Sequence, residues 1–120
     1  MQAKDVYDKI GGSYDTALSQ FRKEERFLNY FGMFLRDDSF PQLKEGMESG
    51  DMQKAFVGAH TLKGVAGNLA FTKLCSLATA ITEDLRNGRD IEHAKIAYPE
   101  VEACYNDTIS AVKEFIDAAP

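Results

Sequence analysis

Tryptophan is absent from this chain, and cysteine, proline and histidine are scarce: two, three and two residues in 120. Two cysteines are too few for a disulfide scaffold. Cys75 and Cys104 sit in KLCSLA and EACYND, helix-like surroundings that read as reduced, partly buried thiols. Neither has another Cys or His at metal-ligand spacing, so no metal site is expected. No apolar run is long enough to span a bilayer. The opening MQAKDVYDKI lacks the apolar core of a signal peptide, and the expectation is a cytoplasmic protein with no membrane contact. A basic surplus is missing too. The net charge is −5, which argues against nucleic acid as a partner, because that needs a clustered basic surface. Alternating β-branched runs, internal repeats and low-complexity linkers are all lacking.

What is present is helical periodicity. An apolar content of 44% supports a core, and the length suits one domain over residues 1–120. AKDVYDKI is a short first helix that stops at Gly11-Gly12. Ser13 is placed as the N-cap of the next. Leu18, Phe21, Leu28, Phe31 and Leu35 then recur at helical spacing, with a break expected near Lys23. Asp38 and Ser39 are placed as caps for a helix carrying Phe40, Leu43 and Met47, with Pro41 in its first turn. SGD at 49–51 stops and restarts the chain, and Asp51 caps a helix running from Met52 to about Leu69. Thr72 is placed as the cap of a helix with Leu74, Leu77, Ala78, Ile81 and Leu85 as its stripe, ended by Asn87-Gly88. Asp90 opens the last helical region, where Pro99 predicts a kink or a short separate helix before it. Short connections between amphipathic helices favour antiparallel neighbours. The fold expected is all-α: an antiparallel up-and-down four-helix bundle with short additional N-terminal helices at one end.

The stretch GAHTLKGVAGNLAF, from Gly58 to Phe71, carries the unusual chemistry. A helix turns about 100° per residue. With His60 as zero, Phe56, Val57, Lys63, Gly64 and Gly67 fall within roughly 60° of it, and so do Gln53 and Phe71 if the helix reaches them. Ala55, Gly58, Leu62, Val65, Ala66 and Leu69 lie opposite and form the core face. His60 therefore points outwards. A lone outward histidine is commonly an ordinary surface residue, but its companions are not ordinary. Gly64 and Gly67 each cost a helix interior about 1 kcal/mol relative to alanine. Away from the core face they clear ground beside the imidazole. Lys63, one turn along, supplies an ammonium that can follow a phosphate. There is no acid/base pair, no Ser or Cys on that face, and no glycine-rich nucleotide loop.

These residues resemble the phosphorylation motif of histidine-containing phosphotransfer (HPt) domains. His60, Leu62, Lys63, Gly64, Gly67, Asn68 and Leu69 match it in register. YDTALSQF at 14–21, SGD at 49–51 and LATAITEDLRNG at 77–88 extend the similarity over nearly the whole chain. Val65 stands where a small or polar residue is frequent, Ala70 where glycine is frequent, and ITED at 81–84 replaces a more usual leucine-glutamate pair. The resemblance implies a phosphoryl carrier, not an enzyme with its own nucleotide site. It implies that His60 is the phosphoacceptor, through Nε2, in a phosphorelay of two-component signalling. The partners implied are receiver (response-regulator) domains and a hybrid histidine kinase. Lys63 would neutralise phosphate charge, Gln53, Phe56, Val57, Gly64 and Gly67 would face the partner, and the partner receiver would bring Mg2+. The expected state is a monomer. Two alternatives stay open: a module phosphorylated directly by a histidine kinase's catalytic domain, and an adaptor that binds receivers without transfer.

The surroundings of the motif are less definite. In LNYFGMFL, Leu28, Phe31 and Leu35 suffice for a core stripe. Phe27, Tyr30, Met33 and Phe34 are left over, either to close the bundle's end or to form an apolar patch for a receiver. Lys54 and Lys73 either add positive potential or are ordinary solvated lysines. His93 lacks lysine and glycine companions and reads as a plain surface residue at a helix start.

Overall fold

A computed structural model describes residues 1–120. It contains seven α-helices and no strand: α1 (Ala3–Ile10), α2 (Tyr14–Phe21), α3 (Arg26–Arg36), α4 (Ser39–Ser49), α5 (Met52–Asn68), α6 (Thr72–Leu85) and α7 (Ile91–Ala118), with a 3-10 turn at Arg86–Gly88 before α7. No helix is long and apolar enough to cross a membrane. The architecture is the all-α bundle expected.

Several helix starts follow the cap chemistry. The Ser13 hydroxyl accepts from the Thr16 amide at 3.2 Å, the Asp51 carboxylate from Lys54 at 3.0 Å, and the Asp90 carboxylate from His93 at 3.0 Å. The break near Lys23 is real, and Arg22 adopts φ 73° there. Two expected caps are corrected. Asp38 makes no cap bond; the Asp37 carboxylate instead accepts from the amide of Ser39, at 2.9 Å, and from its hydroxyl. Thr72 is already inside α6, and its hydroxyl donates to the Ala70 carbonyl rather than accepting. The first turn of α6 is met from outside, by the Gly11 carbonyl on the Lys73 amide at 3.0 Å. A distant loop takes over what a local cap would otherwise do.

Four rods make the bundle: α3 with α4, then α5, α6 and α7. The first rod is interrupted only at Asp37 and Asp38. Against α7 the aromatic pairs run in opposite order along the two chains: Phe31 with Phe115 at 5.3 Å, Phe34 with Tyr105 at 5.8 Å, Phe40 with Tyr98 at 6.2 Å. The two rods are therefore antiparallel. Turns at Gly50-Asp51 and at Leu69–Phe71 reverse the chain into and out of α5. Where α4 crosses α5 the backbones touch. A Cβ on Gly46 would stand 2.4 Å from the Ala55 amide nitrogen, and one on Gly58 would stand 2.4 Å from that of Leu43.

The helices α1 and α2 close the end of the bundle. Tyr7 is buried, its ring 5.9 Å from Phe27 and 5.6 Å from Phe71. Its hydroxyl donates to the Leu69 carbonyl at 2.8 Å, and burial keeps it protonated far above the usual phenol range. The Ser13 amide donates to the Ala70 carbonyl at 3.0 Å. Ala70 stands at φ 58°, in the left-handed region that favours glycine, and ends α5 in the manner a glycine would.

Two further expectations are narrowed by the structure. The core stripe of α3 is Phe27, Phe31 and Phe34, all buried, while Leu28 is 42% exposed and Leu35 only partly buried. α3 has apolar residues on both candidate faces, and the aromatic face wins because Tyr7 and Phe71 meet it. Phe27 and Phe34 are thus core residues and not a surface patch. Of the two outcomes expected at Pro99, the separate short helix does not form: the last helix is one element of 28 residues. The proline faces solvent, so the carbonyl its ring deprives of a partner can turn to water. Buried Ala94 and Val101 hold the helix to the bundle on either side.

Candidate functional site

Midway along α5, His60 is exposed to solvent, with the core face of the same helix, Ala55, Ala59, Leu62 and Ala66, buried behind it. The Phe56 ring lies one turn back, 5.9 Å from the imidazole and tilted to it. Val57 is 40% exposed and Gln53 is exposed. The hydroxyl of Thr61 is turned down onto the Val57 carbonyl at 2.9 Å, so it offers the imidazole nothing. At Gly64 a Cβ would meet no atom within 4 Å. At Gly67 it would meet only the Cys75 Sγ, at 3.5 Å, an ordinary contact. Neither glycine is needed to let helices approach. Lys63 is half-buried and makes no ion pair, so its ammonium is free on the same face. The spacing therefore brings together all the residues expected, except Phe71. Phe71 lies beyond the end of α5 and is fully buried.

The neighbouring helix adds two groups that the motif does not contain. The Arg86 guanidinium sits over the Phe56 ring, 5.1 Å from its centroid, in cation–π geometry. Glu83, one turn earlier on α6, accepts from Arg86 Nη2 at 3.2 Å and Nε at 3.4 Å. Arg89 reaches the same carboxylate at 3.5 Å. The hydrogen bond from Arg86, aided by the charges of Arg86, Arg89 and Lys63, holds the Glu83 carboxyl below its usual range. One signal could have found them. In an antiparallel hairpin, equal counts outwards from the turn at Phe71 pair Phe56 with Arg86.

The other lysines take no part. Lys54 is taken up by Glu45 of α4 at 2.9 Å, and Lys73 lies against Gly11 beside Cys104 and Asp107. Of the four residues left over in α3, only Tyr30 and Met33 remain accessible. They line a shallow apolar groove with Val65, Asn68 and Leu69. His93 is exposed as expected, though paired with Asp84 at 2.5 Å. Both cysteines are free thiols.

Fold and site together define a helical bundle that displays one histidine on an unobstructed helix face, with a free cation a turn away. A family model described as the Hpt domain matches residues 30–118, well over half of the chain, and the chain belongs to that family. Hpt domains serve histidine-containing phosphotransfer in two-component signalling, as carriers that work with receiver domains and histidine kinases. No curated protein and no solved structure gives a significant match.

Proposed function

We propose that this chain is a phosphorelay intermediate. His60 takes a phosphoryl group from the aspartyl phosphate of one receiver domain and passes it to the aspartate of another. The observation that carries this reading is the exposed imidazole at the middle of α5, beside a Gly64 that has nothing within 4 Å of its missing side chain. The neutral ring offers a lone pair at Nε2, which attacks phosphorus in line while the bond to the aspartate oxygen breaks and the carboxylate leaves. Such transfer depends on positioning and charge neutralisation, not on covalent chemistry by the protein. Lys63 supplies positive charge to the phosphoryl oxygens, and the receiver supplies its aspartate and magnesium ion. Gln53, Phe56, Val57, Gly64 and Gly67 face the docked receiver, with Met33 and Tyr30 at its edge. The chain acts as a monomer and brings no nucleotide site of its own. The N-terminal helices outside the family match belong to the same domain, since Tyr7 is buried against Phe27 and Phe71.

The test is incubation with a panel of receivers loaded by acetyl phosphate. Acid-labile, alkali-stable phosphate should appear on this chain and map to His60. Lys63→Ala should slow its arrival without abolishing it. If every receiver keeps its phosphate, or the label maps elsewhere, the assignment fails.

A further inference from the structure

The Glu83 cluster reaches the Phe56 ring that flanks the acceptor, yet has no part in the transfer just described. Phe56 and His60 share one row of α5, and Arg86 covers Phe56. The guanidinium therefore covers the ring that flanks the imidazole. Two of its five N–H groups are spent on Glu83. Arg89 faces the same carboxylate, and the Lys63 ammonium acts on it through space. Two arginines thus hold one anion, and one of them covers the ring that flanks a residue that gains about −1.5 to −2 of charge when phosphorylated. The Glu83–Arg86 pair is solvent-exposed on both sides, so opening it costs little.

We propose that Glu83 is a positioning residue that holds Arg86 in reserve, releases it to the phosphoryl oxygens when His60 is loaded, and by competing for it limits the lifetime of the phosphohistidine. This rests on His60 being the acceptor. Before loading, the carboxylate neutralises part of the cationic rim and keeps the arginine folded over Phe56. After loading, the phosphoryl group is the better acceptor for a guanidinium fork, and Arg86 turns from Glu83 to it. In the loose transition state of phosphoryl departure the outer oxygens gain little further charge. Cations on those oxygens therefore steady the loaded state more than its departure. Glu83 opposes this by drawing Arg86 back and by repelling the phosphate. It keeps the carrier from holding its cargo too firmly.

The test uses a small donor, so that docking plays no part. Potassium phosphoramidate loads the full chain: the imidazole nitrogen attacks phosphorus, the bond to nitrogen breaks, and ammonia leaves with a solvent proton. Once the donor is removed, 31P NMR follows hydrolysis, in which water takes the phosphoryl group and neutral imidazole is restored. Glu83→Gln should lengthen the half-life and Arg86→Gln should shorten it, each by roughly two- to fivefold, the range an exposed charge pair can supply. Arg86→Lys should recover most of the loss. The lengthening by Glu83→Gln should shrink when Arg86 is already glutamine, and shrink again in high salt. Thermal melts of the unloaded variants should coincide, which separates this role from a structural one. The inference is overturned if Glu83→Gln and Arg86→Gln move the half-life in the same direction, or if neither moves it. If no phosphohistidine forms at residue 60 of the unsubstituted chain, the acceptor reading falls first and this inference with it.

Discussion

Gly58 and Gly64 stand on the same helix and carry the same penalty relative to alanine, about 1 kcal/mol, but their surroundings are opposite. A Cβ at Gly58 would press to 2.4 Å from the Leu43 amide nitrogen and 2.8 Å from the Ser39 carbonyl, backbone that cannot step aside. A Cβ at Gly64 would meet nothing within 4 Å. On one face the missing side chain lets α4 lie directly on α5, with Gly46 doing the same from the other helix. On the other face the molecule gains nothing from the absence. The helix is weakened there without compensation inside the fold, which is what a surface kept open for another molecule looks like.

His60→Gln separates the two faces most sharply. It should abolish phosphoryl acceptance altogether and leave the denaturant midpoint where it was, because an exposed side chain contributes little packing. A large loss of stability would mean that the ring is part of the fold. Gly64→Gln comes next. Transfer from a receiver should fall by about 100-fold, since in-line attack tolerates little misplacement, while loading by phosphoramidate should hardly change. Equal slowing with both donors would show that the glycine serves the imidazole itself and not access to it. Gly58→Ala should act in the reverse sense, costing about 2–3 kcal/mol in urea unfolding as α4 is pushed off. If Gly58→Ala is silent, the close crossing is not there. Gly64→Ala should raise stability, by up to about 1 kcal/mol, as a rise in the melting temperature.

The smallest expected effect belongs to a region outside both faces. His93 Nδ1 donates to the Asp84 carboxylate across the turn from α6 to α7, and that hydrogen bond, reinforced by the carboxylate's charge, raises the pKa of the imidazole. A raised folded value means that the pair's contribution is complete below the ordinary value of 6.5 and disappears as pH climbs through the higher folded one. The ring is largely exposed, so the effect is small. The difference in melting temperature between the unsubstituted chain and His93→Ala should narrow steadily as the pH is raised from mildly acidic to alkaline. A constant difference would leave the pair without a charge component.

The helix of His60 was legible because its core face is made of small residues with an outward remainder, and because Asp51 caps it by local chemistry. Ser13 and Asp90 were legible for the same reason. The failures all involve contacts between elements. Which of two apolar stripes α3 buries depends on Tyr7 and Phe71, which belong to other helices. Thr72 was a reasonable cap until the Gly11 carbonyl supplied the missing acceptor from far along the chain. Pro99 breaks helices in isolation, and here the bundle holds the segments on both sides of it. Glu83 and Arg86 were not singled out, since the motif on α5 does not contain them and only pairing α5 with α6 across the turn at Phe71 brings Arg86 to Phe56. Gly46 was passed over for the same reason: its role exists only where α4 meets α5.

The buried tyrosine of α1 also has a consequence in time. Along α4, α5, α6 and α7 each helix packs against the one that follows it, so most of the bundle can assemble from local encounters as the chain lengthens. Tyr7 is different. Its hydroxyl needs the carbonyl of Leu69, and its ring needs Phe71. Although Tyr7 precedes the bundle helices in sequence, it has no place to dock until α5 and the turn after it have followed. α1 is made before the helices it packs on and is among the last to be seated, and until then the aromatic face of α3 that it covers stays open to water.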